Sequence, residues 1–171
     1  MQLTLTKEQR QVAHAASTED CRPVLQSVCI RNGKALAGNG YVLAEMPILI
    51  TDPADTDVLL SARDLLRSKD GKGTKSTFVT TDQETAHIID AEGTRISPLI
   101  QGTFPTYEAI YPTAEPVLEI AFSVDVLQTV LKVAGKDNYV KFTFYNKSSA
   151  VKFVVPNVDI QGLAMPFFAK D

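Results

Sequence analysis

The chain has no tryptophan, only two histidines and only two cysteines among its 171 residues. His14 and His87 stand far apart and no glycine-rich phosphate loop is present, so nothing in the sequence argues for an enzyme. No metal or other cofactor is implied. Cys21 and Cys29 lack the spacing of a metal-ligand or redox pair, and both are expected to be buried, reduced thiols. There is no apolar run long enough to span a bilayer, which argues against a membrane protein. Met1 opens a strand-like segment rather than a basic-then-apolar leader, so a cytoplasmic location is expected. Charge of either sign is not in large excess. The net charge of −3 neither demands nor forbids nucleic acid, because the distribution of charge matters more than its sum.

What is present is a core-forming composition and a repeated unit. With 44% hydrophobic residues the chain can bury a real core in one or two domains. Leu3-Thr4-Leu5 alternates as a strand, and Thr6 with Gln9 three residues on forms a capping box, predicting a helix from Lys7 to about Ala16. Strands follow from Pro23 to Ile30 and from Lys34 to Ala37, joined by the hairpin signal Asn32-Gly33. Tyr41 to Ile50 then reads as a long strand interrupted by Pro47, ahead of a polar loop carrying Pro53. The theme returns with the strand Val58-Leu59-Leu60, a cap at Ser61 with Asp64 three on, and a short helix. A basic loop from Lys69 to Lys75 leads into strands at 76–80, 85–90 and 94–100. It returns again with a strand at 117–122, a cap at Ser123 and a helix whose apolar stripe is Leu127, Val130, Leu131 and Ala134. Gly135 stops that helix, and strands follow at 139–145, 150–155 and 158–168. The caps Thr6, Ser61 and Ser123 stand 55 and 62 residues apart. The unit is strand, capped helix, three strands, occurring three times, which predicts an α+β architecture built from a repeated unit.

Between the second and third copies lies Ile100-Gln101-Gly102-Thr103-Phe104-Pro105-Thr106-Tyr107-Glu108-Ala109-Ile110-Tyr111-Pro112. Its prolines stiffen the backbone and bias Phe104 and Tyr111 to extended conformations, as suits a packed linker or the wall of a groove. This I-x-G-x-F-P-x-Y-x-x-I-x-P pattern resembles the end of the middle domain of the bacterial DNA polymerase III beta subunit, the sliding clamp. Arg22-Pro23-Val24-Leu25 and Gly38-Asn39-Gly40-Tyr41-Val42-Leu43-Ala44 resemble that domain's first half, which carries a T-D-G-[YH]-R-L-A motif. Leu163-Ala164-Met165-Pro166-Phe167 resembles the V-V-M-P-M near the family's C-terminus. Val42 departs from the family's arginine, and Gly38-Asn39 from its Thr-Asp. Phe168 to Asp171 extend past the family's usual end.

The resemblance implies a DNA-clamp fold of β-α-β-β-β half-domains, about three per chain. Residues 1–115 would be one complete clamp-like domain and 116–171 the closing half of a second. The family's cleft for short peptides of polymerases and other replication factors maps onto Leu25, Gly40, Tyr41, Val42, Leu43, Pro105, Ala109, Ile110, Leu163, Ala164, Met165, Pro166 and Phe167. Lysines and arginines that could face duplex phosphates without reading sequence are Lys7, Arg10, Arg63, Arg67, Lys69, Lys72, Lys132 and Lys136. The expectation is a non-enzymatic processivity factor or peptide-docking platform in DNA replication or repair. A family ring has about twelve half-domains, so four chains would close one, and a homo-oligomer, above all a tetramer, is expected. The alternative is a clamp-like module that never encircles DNA and sequesters clamp partners through the same cleft.

Overall fold

The computed structural model describes residues 1–52, 57–73, 76–136 and 138–167. Pro53, Lys75 and residues 168–171 lie outside the described residues. The chain divides into two compact units, Met1–Ala109 and Ile110–Asp171.

In the first unit, β1 (Gln2–Thr6) runs into α1 (Lys7–Arg10), which tightens into a 3-10 turn over Gln11–Ala15. The Thr6 capping box closes both ways: Gln9 N–H donates to Thr6 Oγ1 at 3.3 Å, and Thr6 N–H donates to Gln9 Oε1 at 2.8 Å. Strands β2 (Ser27–Arg31), β3 (Lys34–Gly38), β4 (Leu43–Pro47) and β5 (Leu49–Asp52) follow. The β2–β3 hairpin turns on Asn32 and Gly33, both at positive φ (50° and 73°), as a primed turn requires. The second half repeats the order with β6 (Val58–Ser61), α2 (Ala62–Leu66), β7 (Ser76–Thr81), β8 (Thr85–Asp90) and β9 (Gly93–Pro98). Ser61 accepts from Asp64 N–H at 3.3 Å, but the Asp64 carboxylate turns away to accept from Ser97 Oγ at 2.6 Å, so only half of a capping box forms.

The two halves interlock by exchanging their first strands. The sheets run β5-β1-β7-β8-β9 and β4-β3-β2-β6, so β1 pairs with the second half's strands and β6 with the first half's. Both pairings are antiparallel, Leu3 opposite Val79 and Leu60 opposite Val28. One core between the layers therefore draws on both halves: Leu3, Leu5, Val28, Ile30, Leu60, Leu65, Val79 and Ile88 are all buried in it. The 3-10 turn of the first half packs on α2 of the second.

The second unit carries α3 (Val124–Ala134), capped by Ser123 and stopped at Gly135 (φ 79°), then β10 (Lys141–Thr143), β11 (Val151–Val155) and β12 (Ile160–Ala164) in one antiparallel sheet. Its small core is Val130, Phe153 and Ala164, with Phe122, Val126, Val140, Phe142 and Ile160 packed around it.

Several expectations are corrected. Pro23–Gln26 is a 3-10 turn rather than the start of a strand; Pro23 has no N–H for a ladder and sits at the turn's first position. The run 41–50 is not one strand. β4 ends at Pro47, and the chain crosses to β5 on the edge of the other sheet, with Ile48 N–H donating to Gly33 C=O at 2.8 Å on the way. The helix expected to Ala16 is α-helical only to Arg10. Segment 117–122 forms no strand; its ladder is the single bridge Ala121–Phe167. Cys29 is buried as expected, but Cys21 is exposed.

Two outcomes test this arrangement. Leu60 is fully buried on an exchanged strand, so Leu60→Ala is expected to lower stability by about 2–5 kcal/mol in urea unfolding. Burial pushes the Cys29 thiol up to about 12, so iodoacetamide near neutral pH should label Cys21 alone in the native chain and both cysteines in urea, read by intact mass.

Candidate peptide- and DNA-contact surfaces

The peptide-contact residues fall into two sets, one in each unit. In the first unit, Phe104 and Tyr107 of the proline-stiffened stretch lie buried against the outer face of the β2–β3–β4–β6 sheet, over Cys29, Leu36 and Leu59. Val24, Leu25, Leu43 and Ile100 pack at the margin of this cluster. The stretch is fastened by charge. Arg31, at the end of β2, donates to both Asp57 carboxylate oxygens (3.0 Å from Nε to each, 2.6 Å from one terminal nitrogen) and to Phe104 C=O at 3.1 Å. Hydrogen bonding to Asp57 raises the Arg31 guanidinium above its usual range. Gly102 is also required: at φ 135°, a Cβ there would stand 2.6 Å from Val24 Cγ2. Burial, and then the nearby Glu45 carboxylate, raise the Tyr107 phenol.

Beside this cluster the β3–β4 turn projects outward. The Asn39 side-chain oxygen accepts from Tyr41 N–H and Val42 N–H at 2.9 Å each, and Gly40 takes φ 92°. Tyr41 is thereby held 92% exposed, with Val42 also exposed and Leu43 tucked back into the cluster. Leu25 and Leu43 thus form a half-buried base, Gly40, Tyr41 and Val42 a protruding rim, and Pro105 and Ala109 sit exposed along the stretch.

In the second unit, Leu163 faces solvent, while Ala164 is buried in the small core with Val130 and Phe153 and so leaves the contact set. Met165 and Phe167 are exposed on either side of the buried Pro166, and Ile110 is exposed. Phe167 N–H donates to Ala121 C=O at 2.7 Å, which holds the Met-Pro-Phe segment in place.

Among the basic residues, Arg10 is corrected. It is only 6% exposed and donates to Thr77 Oγ1 and to the Asp70 carboxylate, so it ties α1 to β7 instead of facing phosphate. Lys7, Arg63, Lys69 and Lys72 are exposed, as are Lys132 and Lys136 in the second unit. Arg67 is exposed and shares charge with Asp64 at 3.6 Å. Arg63 and Arg67 line, with His14 and Gln26, an open concavity of about 820 Å³ where α2 meets the turn at Gln11–Ala15. The Arg31–Asp57 clasp was not anticipated: its partners are 26 residues apart, and neither belongs to a motif.

Set beside solved structures, the chain superposes over 97% of its length on the DNA polymerase sliding clamp of Bacillus subtilis, with a TM-score of 0.72 and 15% identity. Over 98% of its length it superposes on the DNA polymerase beta subunit of Streptococcus pyogenes, with a TM-score of 0.77 and 19% identity. This chain has the sliding-clamp fold. A sliding clamp (DNA polymerase III subunit beta) from Pseudomonas aeruginosa bound to griselimycin matches 99% of it, with a TM-score of 0.52 and 16% identity. The chain spans 49% and 50% of the first two clamp chains and 66% of the third. No protein-family model and no curated protein sequence matches it. At these identities the likeness is one of fold. The α+β clamp-type fold expected from the sequence is therefore observed in shortened form, with the third copy lacking its expected first strand.

Arg31→Met is expected to release the 104–108 stretch. Loss of a charge-assisted cluster of this kind should lower stability by about 1–3 kcal/mol. Limited proteolysis should show new cleavage between Gly102 and Tyr111 that the unsubstituted chain does not show.

Proposed function

We propose that this chain is a clamp-like processivity factor and docking platform for DNA replication or repair, without enzymatic activity of its own. The observation that carries the reading is the sliding-clamp fold over 97–98% of the chain. In this reading residues 1–115 act as one complete clamp domain and 116–171 as the closing half of another. Duplex DNA is held without sequence recognition, by Lys7, Arg63, Arg67, Lys69, Lys72, Lys132 and Lys136. Short peptides of a polymerase or another replication factor dock on the Tyr41–Leu43 rim with Leu25, and on Met165 and Phe167. Encirclement needs several copies, four for a ring of clamp-like size. The reading places the protein in the cytoplasm with the replication machinery; no helix among the described residues is long and apolar enough to cross a membrane.

Retention on DNA of different topology tests the reading. The chain is incubated with nicked circular plasmid, and complexes are passed over a sizing column before and after linearisation. Co-elution with the circle and release after cutting is the expected result. Arg63→Ala with Arg67→Ala should shorten retention and flatten its salt dependence. Equal retention on circular and linear DNA, or none on either, overturns encirclement.

The exposure of Tyr41, Val42, Met165 and Phe167, together with the withdrawal of Arg10, favours a second reading: a docking module that never encircles DNA. It predicts griselimycin binding in isothermal calorimetry, weakened at least tenfold by Tyr41→Ala or Met165→Ala, with no topological retention.

A further inference from the structure

Unit 1 shows what a half-domain of this fold needs, and the described residues of unit 2 do not supply it. In unit 1, the first residues of α2 after the Ser61 cap bury Ala62 (4% exposed) and Leu65 (1%) against the other half. The equivalent residues after the Ser123 cap of α3 are Val124 (68% exposed) and Leu127 (37%), and Leu131 one turn further continues the stripe into solvent. Strand pairing repeats the contrast. β6 is fastened on one side by Ile100 N–H to Leu59 C=O, two residues before its cap, and on the other by β2 of the first half. In unit 2 the first fastening recurs, Phe167 N–H to Ala121 C=O, again two residues before the cap. The second is missing among the described residues: there segment 117–122 has no strand beside it and β10 is paired only with β11, whereas its counterparts β2 and β7 are each covered by the opposite half's first strand.

We propose that a second copy of this chain completes unit 2. The copies lie about a two-fold axis, each laying its segment 117–122 along the free edge of the other's β10, with α3 stacked on α3. The occupant is argued from self-complementarity. The alternation matches: Leu118, Ile120 and Phe122 share a face, as do Val140, Phe142 and Phe144, so an antiparallel pairing in the parity of β1 with β7 puts both apolar rows inward. An apolar groove of about 470 Å³ between 116–122 and Phe144 is the space the incoming strand fills. Charge matches as well. Asp125 and Lys132 are two turns apart on one flank of α3, so a two-fold passing near Gln128 sets Asp125 of each copy beside Lys132 of the other, twice per dimer. The same axis sets Val124 against Leu131. The inference rests on the asymmetry between the two units and not on DNA binding; it supplies one of the interfaces a ring requires.

The test is the mass of the full chain by light scattering and sedimentation from about 1 to 200 µM. A dimer or an even-numbered multiple of it is expected. Leu131→Asp, at a solvent-exposed position, should raise the dissociation constant at this interface at least a hundredfold while circular dichroism stays unchanged. Asp125→Lys and Lys132→Asp should each weaken association about tenfold, and the double variant should restore it, a rescue that misfolding would not produce. A monomer throughout the range overturns the proposal. So does an oligomer indifferent to Leu131→Asp, which would place the contact elsewhere. A dimer that fails to stay on circular DNA leaves this interface standing and removes only the encirclement reading.

Discussion

The constraint on which the rest depends is the exchange of first strands. A β-strand in a core must have its backbone groups hydrogen-bonded, and here the partner of each half's first strand is supplied by the other half. Because the cap follows at once, that strand also aims the helix, so one exchange sets both sheet order and helix position. The residues that make the core are consequently shared: Leu3 and Leu5 come from one half, Val79 and Ile88 from the other, and removing either would leave a bare sheet edge and an uncovered helix. Unit 1 satisfies the rule internally. Unit 2 carries the same cap-helix order, but among the described residues no strand exchanges with it, and its apolar residues are exposed at the positions the rule would cover.

Local signals were legible in the sequence because they are satisfied locally. Thr6, Ser61 and Ser123 cap helices through bonds to residues three positions away, and Asn32-Gly33 turns a hairpin through its own backbone preference. What was misread depends on partners distant in sequence. Pro47 reads as an interruption within one strand, but it ends an edge strand and sends the chain to a different sheet. Segment 117–122 alternates like β1 and β6, yet a strand needs a neighbour as well as an alternation, and among the described residues only Phe167 offers one contact.

The candidate surfaces show the same division. Tyr41 and Val42 are displayed by an Asn39 turn that motif reading could place, and Phe104 and Tyr107 are buried as proline-stiffened aromatics should be. Arg10 was counted among the phosphate-facing residues by its residue type, but it sits where α-helical geometry ends. There Thr77 and Asp70 capture the guanidinium. Ala164 was misplaced by strand alternation. A motif read as a continuous contact surface becomes, on a strand, one residue outward and the next inward, so Leu163 is exposed while Ala164 closes the core.

The difference between the helices bears on what kind of partner unit 2 can take. α1 and α2 are four and five residues long, and α2 packs on the 3-10 turn that continues α1, a companion of different sequence, so it need not complement itself. α3 is eleven residues long, and its exposed stripe and flanking charges fall in matched pairs whose midpoints lie on either side of Gln128, Val124 with Leu131 and Asp125 with Lys132. A helix that packs on a dissimilar partner has no need to match apolar with apolar and acid with base on either side of one of its own residues. An isologous contact requires that matching, because every residue must find the image of another across the axis. The symmetry within α3 and the half-built sheet behind it therefore point to the same occupant, and either feature alone would be weaker ground: a free strand edge accepts many strands, and an apolar stripe accepts many helices.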